Sequence, residues 1–480
     1  MNNTIKQPGA VKKPPLWASI LPVALLLVSL VSVIAIEGAH AINEYSQALL
    51  LLSSAIAVGL SALTGSLGKR GLKVGFSRSA RQILPAVPML LFIAMVATTW
   101  MMSGVVPTFI DYGLKLLNPT MFLVTTCACC ALISVLTGSS WTTIATIGVA
   151  FMGIGSVMGY EEGWIAGAII SGAYFGDKVS PLSDTTVVAS SACGVDLFKH
   201  IRYLMITAIP AMGIALIVFF IAGLFTDTVG TAESSSLIED LEATFNLSIY
   251  TLTIPLATLI MIALKVPTLI TLATAAMMGF AGIFVFQPEI SDSLLSAMTS
   301  VISGFSVSTG NQQFNSLVAT GGITGMLPTI LLVLSAMIFG CVMIGTGMLD
   351  VITHAVTRHL NRRGSIVTAT VASGLFVNSC TADQYLSLII TGNMYRNVYK
   401  RLRLDPRLLS RTIEDSVSVT SVLIPWNSCG ITQSTVLGVS TLVYFPYCIF
   451  NILSPCMSIL IAWTGYKIRK AVREPVITAA

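Results

Sequence analysis

The chain is dominated by long apolar runs, which are separated by short polar, glycine- or proline-containing breaks. Several runs approach 20 residues, the length that crosses about 30 Å of hydrocarbon as a helix. Other runs are too short to cross alone, and these come in pairs. The runs cover residues 16–36, 46–67, 83–110, 119–137, 141–158, 163–176, 185–196, 203–225, 247–264, 267–286, 327–347, 365–379, 384–395, 412–425, 430–443 and 444–466. Paired short runs indicate re-entrant hairpins and broken helices, which a membrane tolerates only inside protein or beside a cavity.

The runs follow the same order in the two halves of the chain: three spans, a hairpin, a broken helix and a final span. Residue matches are few; Pro181 matches Pro425 at an offset of 244, and Ser139 matches Ser379 at an offset of 240. The first half starts on the inner side and the second on the outer side, so we expect inverted repeats. The predicted division is an N-terminal cytoplasmic tail 1–15, a first repeat 16–225, an external acidic linker 226–246, a second repeat 247–467 and a C-terminal cytoplasmic tail 468–480.

Composition agrees with a membrane protein. Of the 480 residues, 54% are apolar and 10% charged, whereas soluble proteins carry about 25% charged residues. This excludes a water-soluble enzyme, a nucleic-acid binder and a disordered chain. The predicted fold is all-α and polytopic, with about ten transmembrane helices in two inverted repeats that contain two re-entrant hairpins and two broken helices. The first apolar run is longer than a signal-peptide core, so we expect a retained span.

The basic residues predict the orientation in the membrane. With the N-terminus inside, 24 of the 26 Lys and Arg fall on the inner side, leaving Lys115 outside and Lys178 within the membrane. Such an excess marks cytoplasmic loops. We therefore expect a multi-pass membrane protein with both termini cytoplasmic. The count is the same whether or not both arms of each hairpin cross fully.

No cofactor chemistry is predicted. The nine cysteines lie mostly inside apolar runs and the four histidines are not clustered with them, so the cysteines are interpreted as small apolar residues. No nucleotide-binding loop or metal cluster is found. We expect neither an enzyme nor a cofactor, and an ion gradient must then supply the energy for any transport.

Four ionisable residues lie deep inside apolar stretches: Asp177, Lys178, Asp184 and Asp383. Each costs about 2.5–3.5 kcal/mol at the bilayer centre. They are therefore expected to face one another, a wet cavity or a bound ion. The alternative is a buried ion pair that only joins helices.

The first break carries the densest set of polar groups. A helix ending near Asp177 would stop at the midplane, because Pro181 disfavours its continuation. Ser183, Asp184 and Thr185 can restart a helix as N-cap residue types, and Ser180 adds another hydroxyl. Carboxylates, hydroxyls and free carbonyls suit Na⁺ or a proton. We predict that Na⁺ binds at Asp177 and Asp184, with Lys178 part of the same site.

The second break and the two hairpin tips complete the predicted site. The break offers uncharged Asn427 and Ser428, although Pro425 and Gly430 alone would kink a span. The tips offer hydroxyls and amides, although their small residues would also serve close helix packing. Thr381 and Gln384 have the spacing of a capping box. The predicted tip residues are Ser139, Ser140 and Thr142 in the first half and Asn378, Ser379, Thr381 and Asp383 in the second.

The run from Ser171 to Thr186, together with Gly194-Val-Asp-Leu-Phe-Lys-His200, resembles the signature of the NhaC family of bacterial antiporters. The resemblance extends over most of the chain, including the segment from Trp100 to Pro107. It implies a sodium/proton antiporter of the ion-transporter superfamily, in which related members exchange malate and protons for sodium and lactate. The signature run is shared by both branches, so it does not choose between them.

We therefore expect a secondary antiporter that exchanges cytoplasmic Na⁺ for external H⁺ by competition at a mid-membrane carboxylate site. The alternative is an exchanger of small carboxylates on the same fold, for which Lys178 and half-helix N-termini would suit an anion. A passive channel is disfavoured, because doubled broken helices serve alternating access. The expected partners are Na⁺, H⁺ and membrane lipids, with small carboxylates in the alternative, no nucleic acid, and a homodimer as a conceivable assembly.

Overall fold

The computed structural model describes residues 13–37, 42–84, 86–226, 231–291, 293–357 and 362–468. Within these ranges the chain is helical, and an isolated β-bridge pairs Phe305 with Thr320. The all-α prediction is confirmed. Most of the two predicted tails, residues 1–12 and 469–480, lies outside the described residues.

In the described part of the first half and of the linker that follows it, the chain forms twelve α-helices. They are α1 Leu16–Glu37, α2 Ile42–Leu63, α3 Lys69–Ile83, α4 Ala86–Met102, α5 Val105–Leu116, α6 Phe122–Thr137, α7 Ser140–Thr143, α8 Val149–Val157, α9 Glu162–Val179, α10 Asp184–Cys193, α11 Leu197–Phe225 and α12 Thr231–Thr244. A π-helical turn, Ile144–Gly148, joins α7 to α8. The second arm of the first hairpin is therefore continuous but locally widened.

The second half forms thirteen α-helices within the residues that the structure describes. They are α13 Thr253–Ala263, α14 Thr268–Phe286, α15 Leu294–Ser303, α16 Gln312–Val318, α17 Gly322–Gly325, α18 Leu327–Gly345, α19 Met348–Thr357, α20 Arg363–Thr381, α21 Gln384–Arg401, α22 Pro406–Ile413, α23 Ser428–Leu437, α24 Thr441–Tyr444 and α25 Ile449–Thr464. A second π-helical turn, Glu414–Ser418, extends α22. Such turns are frequent at functional sites.

The described helices allow seven to ten spans, a range that includes the predicted ten, although the set that reaches ten counts both arms of the first hairpin and neither broken helix. Seven described helices are long and apolar enough to cross a membrane, and three strongly bent pairs raise the number to ten. The two arms of the first hairpin, Pro119–Thr137 and Ser140–Val157, each reach that length. Helices α9 and α22 do not qualify, because they are short or charged. The protein is a polytopic all-α membrane protein.

Close packing of α6 against α9 positions the first break. A Cβ added at Gly172 would lie 2.1 Å from the carbonyl oxygen of Cys127, and one at Gly176 would lie 2.4 Å from that of Ala131. Only glycine permits this approach of two backbones, as in other small-xxx-small helix contacts. The contact fixes the end of α9 against the first hairpin.

The sequence pattern missed some elements. It gave no helices for residues 287–326, where the structure has α15, α16 and α17. It also gave the linker as a loop, whereas α12 is helical and buries Leu237 and Leu241. These helices are short and only partly apolar, so the helical periodicity of their apolar residues was too weak to detect in the sequence.

Candidate functional site

Each break in the first half is made by a helix stop and a side-chain cap. The first hairpin turns at Gly138, whose φ of 67° is left-handed, and Ser139 then caps α7 by accepting a bond from the Thr142 amide at 3.2 Å. The broken helix stops at Val179, and Ser183 caps α10. Caps of this kind satisfy amides that the helix itself cannot. The predicted helix restart after Pro181 is confirmed.

The second half uses the same devices. Ala382 has a left-handed φ of 54°, and Asp383 caps α21 by accepting a bond from the Leu386 amide at 2.8 Å. Asn427 caps α23 by accepting a bond from the Cys429 amide at 3.0 Å. A second broken helix and a second hairpin therefore lie where the sequence predicted them.

The capping box predicted from Thr381 and Gln384 is wrong. Thr381 is the last residue of α20, and its hydroxyl bonds to Ser387 at 2.5 Å. Asp383 takes the N-cap position instead, because its carboxylate reaches the exposed amides of α21. The carboxylate therefore lies at the positive end of a helix.

The two halves repeat their contacts at one constant offset of 244 residues. The matched hydrogen-bonded pairs are Ser134–Ala173 with Asn378–Val417, Ser140–Asp177 with Gln384–Ser421, and Thr137–Thr143 with Thr381–Ser387. The match of Ser139 with Ser379 at an offset of 240 is therefore wrong; Ser139 corresponds to Asp383. These equivalences support a repeated unit, whereas its boundaries and inverted orientation stay predictions.

A first cavity of about 550 Å³ lies where the tips and breaks meet. It receives residues from both hairpin tips, from both broken helices and from the loop between α13 and α14. Three carboxylates line it, those of Asp177, Asp184 and Asp383. Among the other predicted site residues, Ser139, Thr142, Thr185 and Ser428 also line it. Residues of both hairpin tips therefore line one cavity together with residues of the first break.

Equivalent positions of the two halves line the cavity. Ser139 and Asp383 are equivalent positions and both line it, as are Asp184 and Ser428. Transporters built from repeats place their sites at such an interface. The charges, however, do not follow the repeat, since Asp177 corresponds to the neutral Ser421. The site is thus symmetric in backbone and asymmetric in charge.

The three carboxylates have different surroundings. Asp177 is 8% exposed and accepts two bonds from Ser140, from the hydroxyl at 2.7 Å and from the amide at 3.2 Å. Asp184 is exposed at the first turn of α10. Asp383 is buried and holds its helix start. Asp177 therefore connects the hairpin tip to the broken helix, while Asp184 is free to meet water.

Lys178 does not share the cavity with Asp177. Its ammonium forms a buried ion pair with Asp415 and bonds to the Ser454 hydroxyl at 2.5 Å. Asp415 also accepts bonds from Ser458 at 2.6 Å and from Thr207 at 3.1 Å. Consecutive residues of a helix point in different directions. The alternative of a buried ion pair that joins helices therefore applies to Lys178, and not to the three aspartates.

Three fully buried charged residues among those described were not identified from the sequence. Arg411, Glu414 and Asp415 are all 0% exposed. Arg411 lies in α22, and Glu414 and Asp415 lie in the π-helical turn that follows, within the run 412–425 that was interpreted as apolar. The adjacent Glu414 and Asp415 were a visible signal, because two acids inside an apolar stretch require partners. Glu414 accepts a bond from the Thr185 hydroxyl at 3.1 Å, so this buried charge cluster borders the cavity wall.

Other predicted site residues hold the architecture together. Asn427 donates to the side-chain oxygen of Asn378 at 2.9 Å, which connects the second break to the second tip. Ser180 donates to the carbonyl of Val135 at 2.7 Å. The Ser379 hydroxyl bonds within its own helix. None of these residues lines the first cavity.

Among the described residues, no group of three or more Asp, Glu, His or Cys side chains is placed to hold a metal ion. The described cysteines are free and mostly buried, as their sequence context predicted. A cation in the first cavity would therefore have at most two carboxylates as ligands. Hydroxyls, carbonyls and water would complete its shell, which suits a weakly held, exchangeable ion.

Comparisons with known proteins agree with this architecture. The profile of the Na⁺/H⁺ antiporter family matches residues 11–203 and 172–466. The Na⁺/H⁺ antiporter NhaC of Alkalihalophilus pseudofirmus is 37% identical over 83% of this chain and 84% of its own. The malate-2H⁺/Na⁺-lactate antiporter of Bacillus subtilis is 35% identical over 80% and 81%. The arginine/ornithine antiporter ArcD of Halobacterium salinarum is 35% identical over 82% and 81%. This chain belongs to the Na⁺/H⁺ antiporter family.

Proposed function

We propose that this protein is a secondary antiporter that exchanges cytoplasmic Na⁺ for external H⁺ at the carboxylates of the first cavity. The observation that carries the proposal is the charge of the lining. Three aspartates face one cavity, and among its described lining residues the sole basic side chain is that of Lys265 in the α13–α14 loop. Such a lining attracts cations and disfavours bare anions.

The exchange step follows from competition. A deprotonated Asp177 or Asp184 offers oxygen to Na⁺, and protonation removes the charge that holds the ion. Because Lys178 is paired with Asp415, it does not neutralise Asp177. One site would therefore hold either Na⁺ or a proton, and each turnover would return the opposite ion.

The membrane location follows from the helices, whereas the sidedness rests on the basic loops. We propose the bacterial inner membrane with both termini cytoplasmic, because the basic residues are so unevenly distributed. Lys265 would then mark the cytoplasmic mouth of the first cavity. We propose that lipids surround the spans and that the protein assembles as a homodimer.

A small organic cargo is the second candidate. The cavity of about 550 Å³ falls within the range of about 300–1,000 Å³ that is usual for small-molecule sites. A bare Na⁺ needs far less space. A carboxylate could enter together with Na⁺. Lys178, which the sequence suggested as the cation that would bind a carboxylate, lies outside the cavity.

Purified protein in proteoliposomes tests both candidates. We expect imposed Na⁺ gradients to move protons without an organic acid, whereas strict dependence on malate or lactate would favour the second candidate. Gradient-independent leak would refute both.

Substitutions in the same vesicles locate the site. At least one of the variants Asp177→Asn and Asp184→Asn should abolish Na⁺-driven proton movement, because the amide keeps the shape of the side chain but cannot titrate. Asp196→Asn is the matched control; Asp196 caps α11 through the Lys199 amide at 3.0 Å and lies away from the cavity. Asn is an equally good cap, so the control should transport normally. Full activity in both cavity variants would move the site elsewhere, with Asp383 the next candidate.

A further inference from the structure

A second cavity of about 550 Å³ lies towards the other end of the helices that line the first. Glu162 at the start of α9 and Leu237 of α12 line it, whereas Asp177 near the end of α9 lines the first. At 1.5 Å per residue, these two positions on α9 lie about 22 Å apart along the axis. The cavities therefore face opposite sides of the protein.

The barrier between the cavities is thin. Along α4, Met89 lines the first cavity and Ile93 the second; along α23, Ser428 lines the first and Thr435 the second. These separations are about 6 Å and about 10 Å of helix. The π-helical turn Ile144–Gly148 lies in the same interval of the hairpin arm and packs against both helices.

An unpaired polar side chain lies inside this barrier. Gln433 on α23 is 0% exposed, and neither its oxygen nor its nitrogen has a hydrogen-bond partner among the described residues. A buried amide without partners is strongly unfavourable, and native proteins retain such groups for a reason. The hydroxyl of Thr98, which lines the second cavity, is likewise buried and unpaired.

The face of α23 that carries Gln433 runs from one cavity to the other. Residues four apart share a helix face, so Gln433 follows Cys429 and precedes Leu437. Leu437 lines the second cavity. Cys429 lies beside the indole of Trp141, which lines the first. On this face of α23, Gln433 therefore lies midway between the residues next to the two cavities.

We propose that the second cavity is the outward half of the ion path and that the side-chain oxygen of Gln433 is a Na⁺ ligand within the barrier. The proposal rests on the Na⁺/H⁺ exchange proposed above. A cation that crosses about 6–10 Å of packed helix loses much of its water, so an oxygen ligand is needed there. A neutral amide supplies one without holding the ion or the proton permanently.

Gln433→Leu tests the proposal. In vesicles of known orientation, the half-saturating Na⁺ concentration at the outer face should rise about tenfold, as expected for one lost polar ligand, while that at the inner face changes little. Gln433→Asn, which keeps the amide, should recover part of the affinity. Ser434→Ala is the matched control, because its hydroxyl is already bonded to the Ile431 carbonyl of the same helix.

Stability separates this role from a structural one. Removing an unpaired buried amide should leave the melting temperature unchanged or raise it, so a strongly destabilised or unfolded Gln433→Leu would overturn the proposal. The proposal would also be overturned if Gln433→Leu changed the half-saturating Na⁺ concentration equally at both faces. A folded but inactive variant supports it if Na⁺ still raises its melting temperature, and contradicts it otherwise. If the wild-type protein shows no Na⁺-dependent proton movement, the proposed function fails instead.

Discussion

The buried pair of Lys178 and Asp415 gives a quantitative test of which charges belong to the cavity. Asp415 accepts bonds from Lys178, Thr207, Ser454 and Ser458, and all of these contacts are buried. Asp415→Asn keeps the shape but leaves the Lys178 ammonium without its counter-charge. Breaking a buried pair from one side typically costs about 3–5 kcal/mol.

Replacing both partners has a different outcome. In Lys178→Met with Asp415→Asn, neither charge of this pair is left alone, and paired removals of this kind are often neutral or stabilising by about 1–4 kcal/mol. The buried guanidinium of Arg411, whose Nε lies 3.9 Å from the Asp415 carboxylate, still loses that counter-charge. We therefore expect the double variant to recover part of the stability that Asp415→Asn loses. It should also retain Na⁺-driven proton movement, because neither residue lines the first cavity.

The assay is a double-mutant cycle of thermal unfolding in detergent, run beside transport in vesicles. The double variant should be destabilised by much less than the sum of the two single substitutions, since the two residues share one contact. If the double variant is as unstable as Asp415→Asn alone, the pair is not what holds these helices together. If it is stable but transports nothing, Lys178 or Asp415 acts in the exchange itself.

Two further outcomes follow from the placement of uncharged residues and loops. Asn427→Ala should lower the free energy of unfolding by about 1–3 kcal/mol, because it leaves a buried amide partner unpaired, whereas Ser428→Ala should weaken the apparent Na⁺ affinity. Thermal unfolding and transport titrations measure the two effects, and the reverse pattern would contradict the proposed site. A reporter inserted after Arg403 should be found in the cytoplasm and one after Thr244 outside, in the orientation that the basic residues predict; the opposite readings would refute that orientation.

The sequence by itself determined the membrane class and the places where helices break. These are local properties: apolar length sets a span, while Pro181 and cap residues such as Ser183 act on the few residues beside them. Asp177 and Asp184 could be named as candidates because a charge in an apolar stretch needs a reason wherever the chain folds. The family resemblance added the antiporter class, but neither the choice of cargo nor the arrangement of the site.

Only the tertiary structure decided which charges meet. Asp383 joins Asp177 from more than two hundred residues away, and Lys178 turns from its neighbour to Asp415. Sequence order cannot encode either choice, because partners are set by the packing of α9 against helices of the other half. The offset of 244 was already visible at Pro181 and Pro425, but only the hydrogen bonds showed that the same offset holds at the hairpin tips. The fold itself thus separates the carboxylates that face the cavity from the charges that hold its walls.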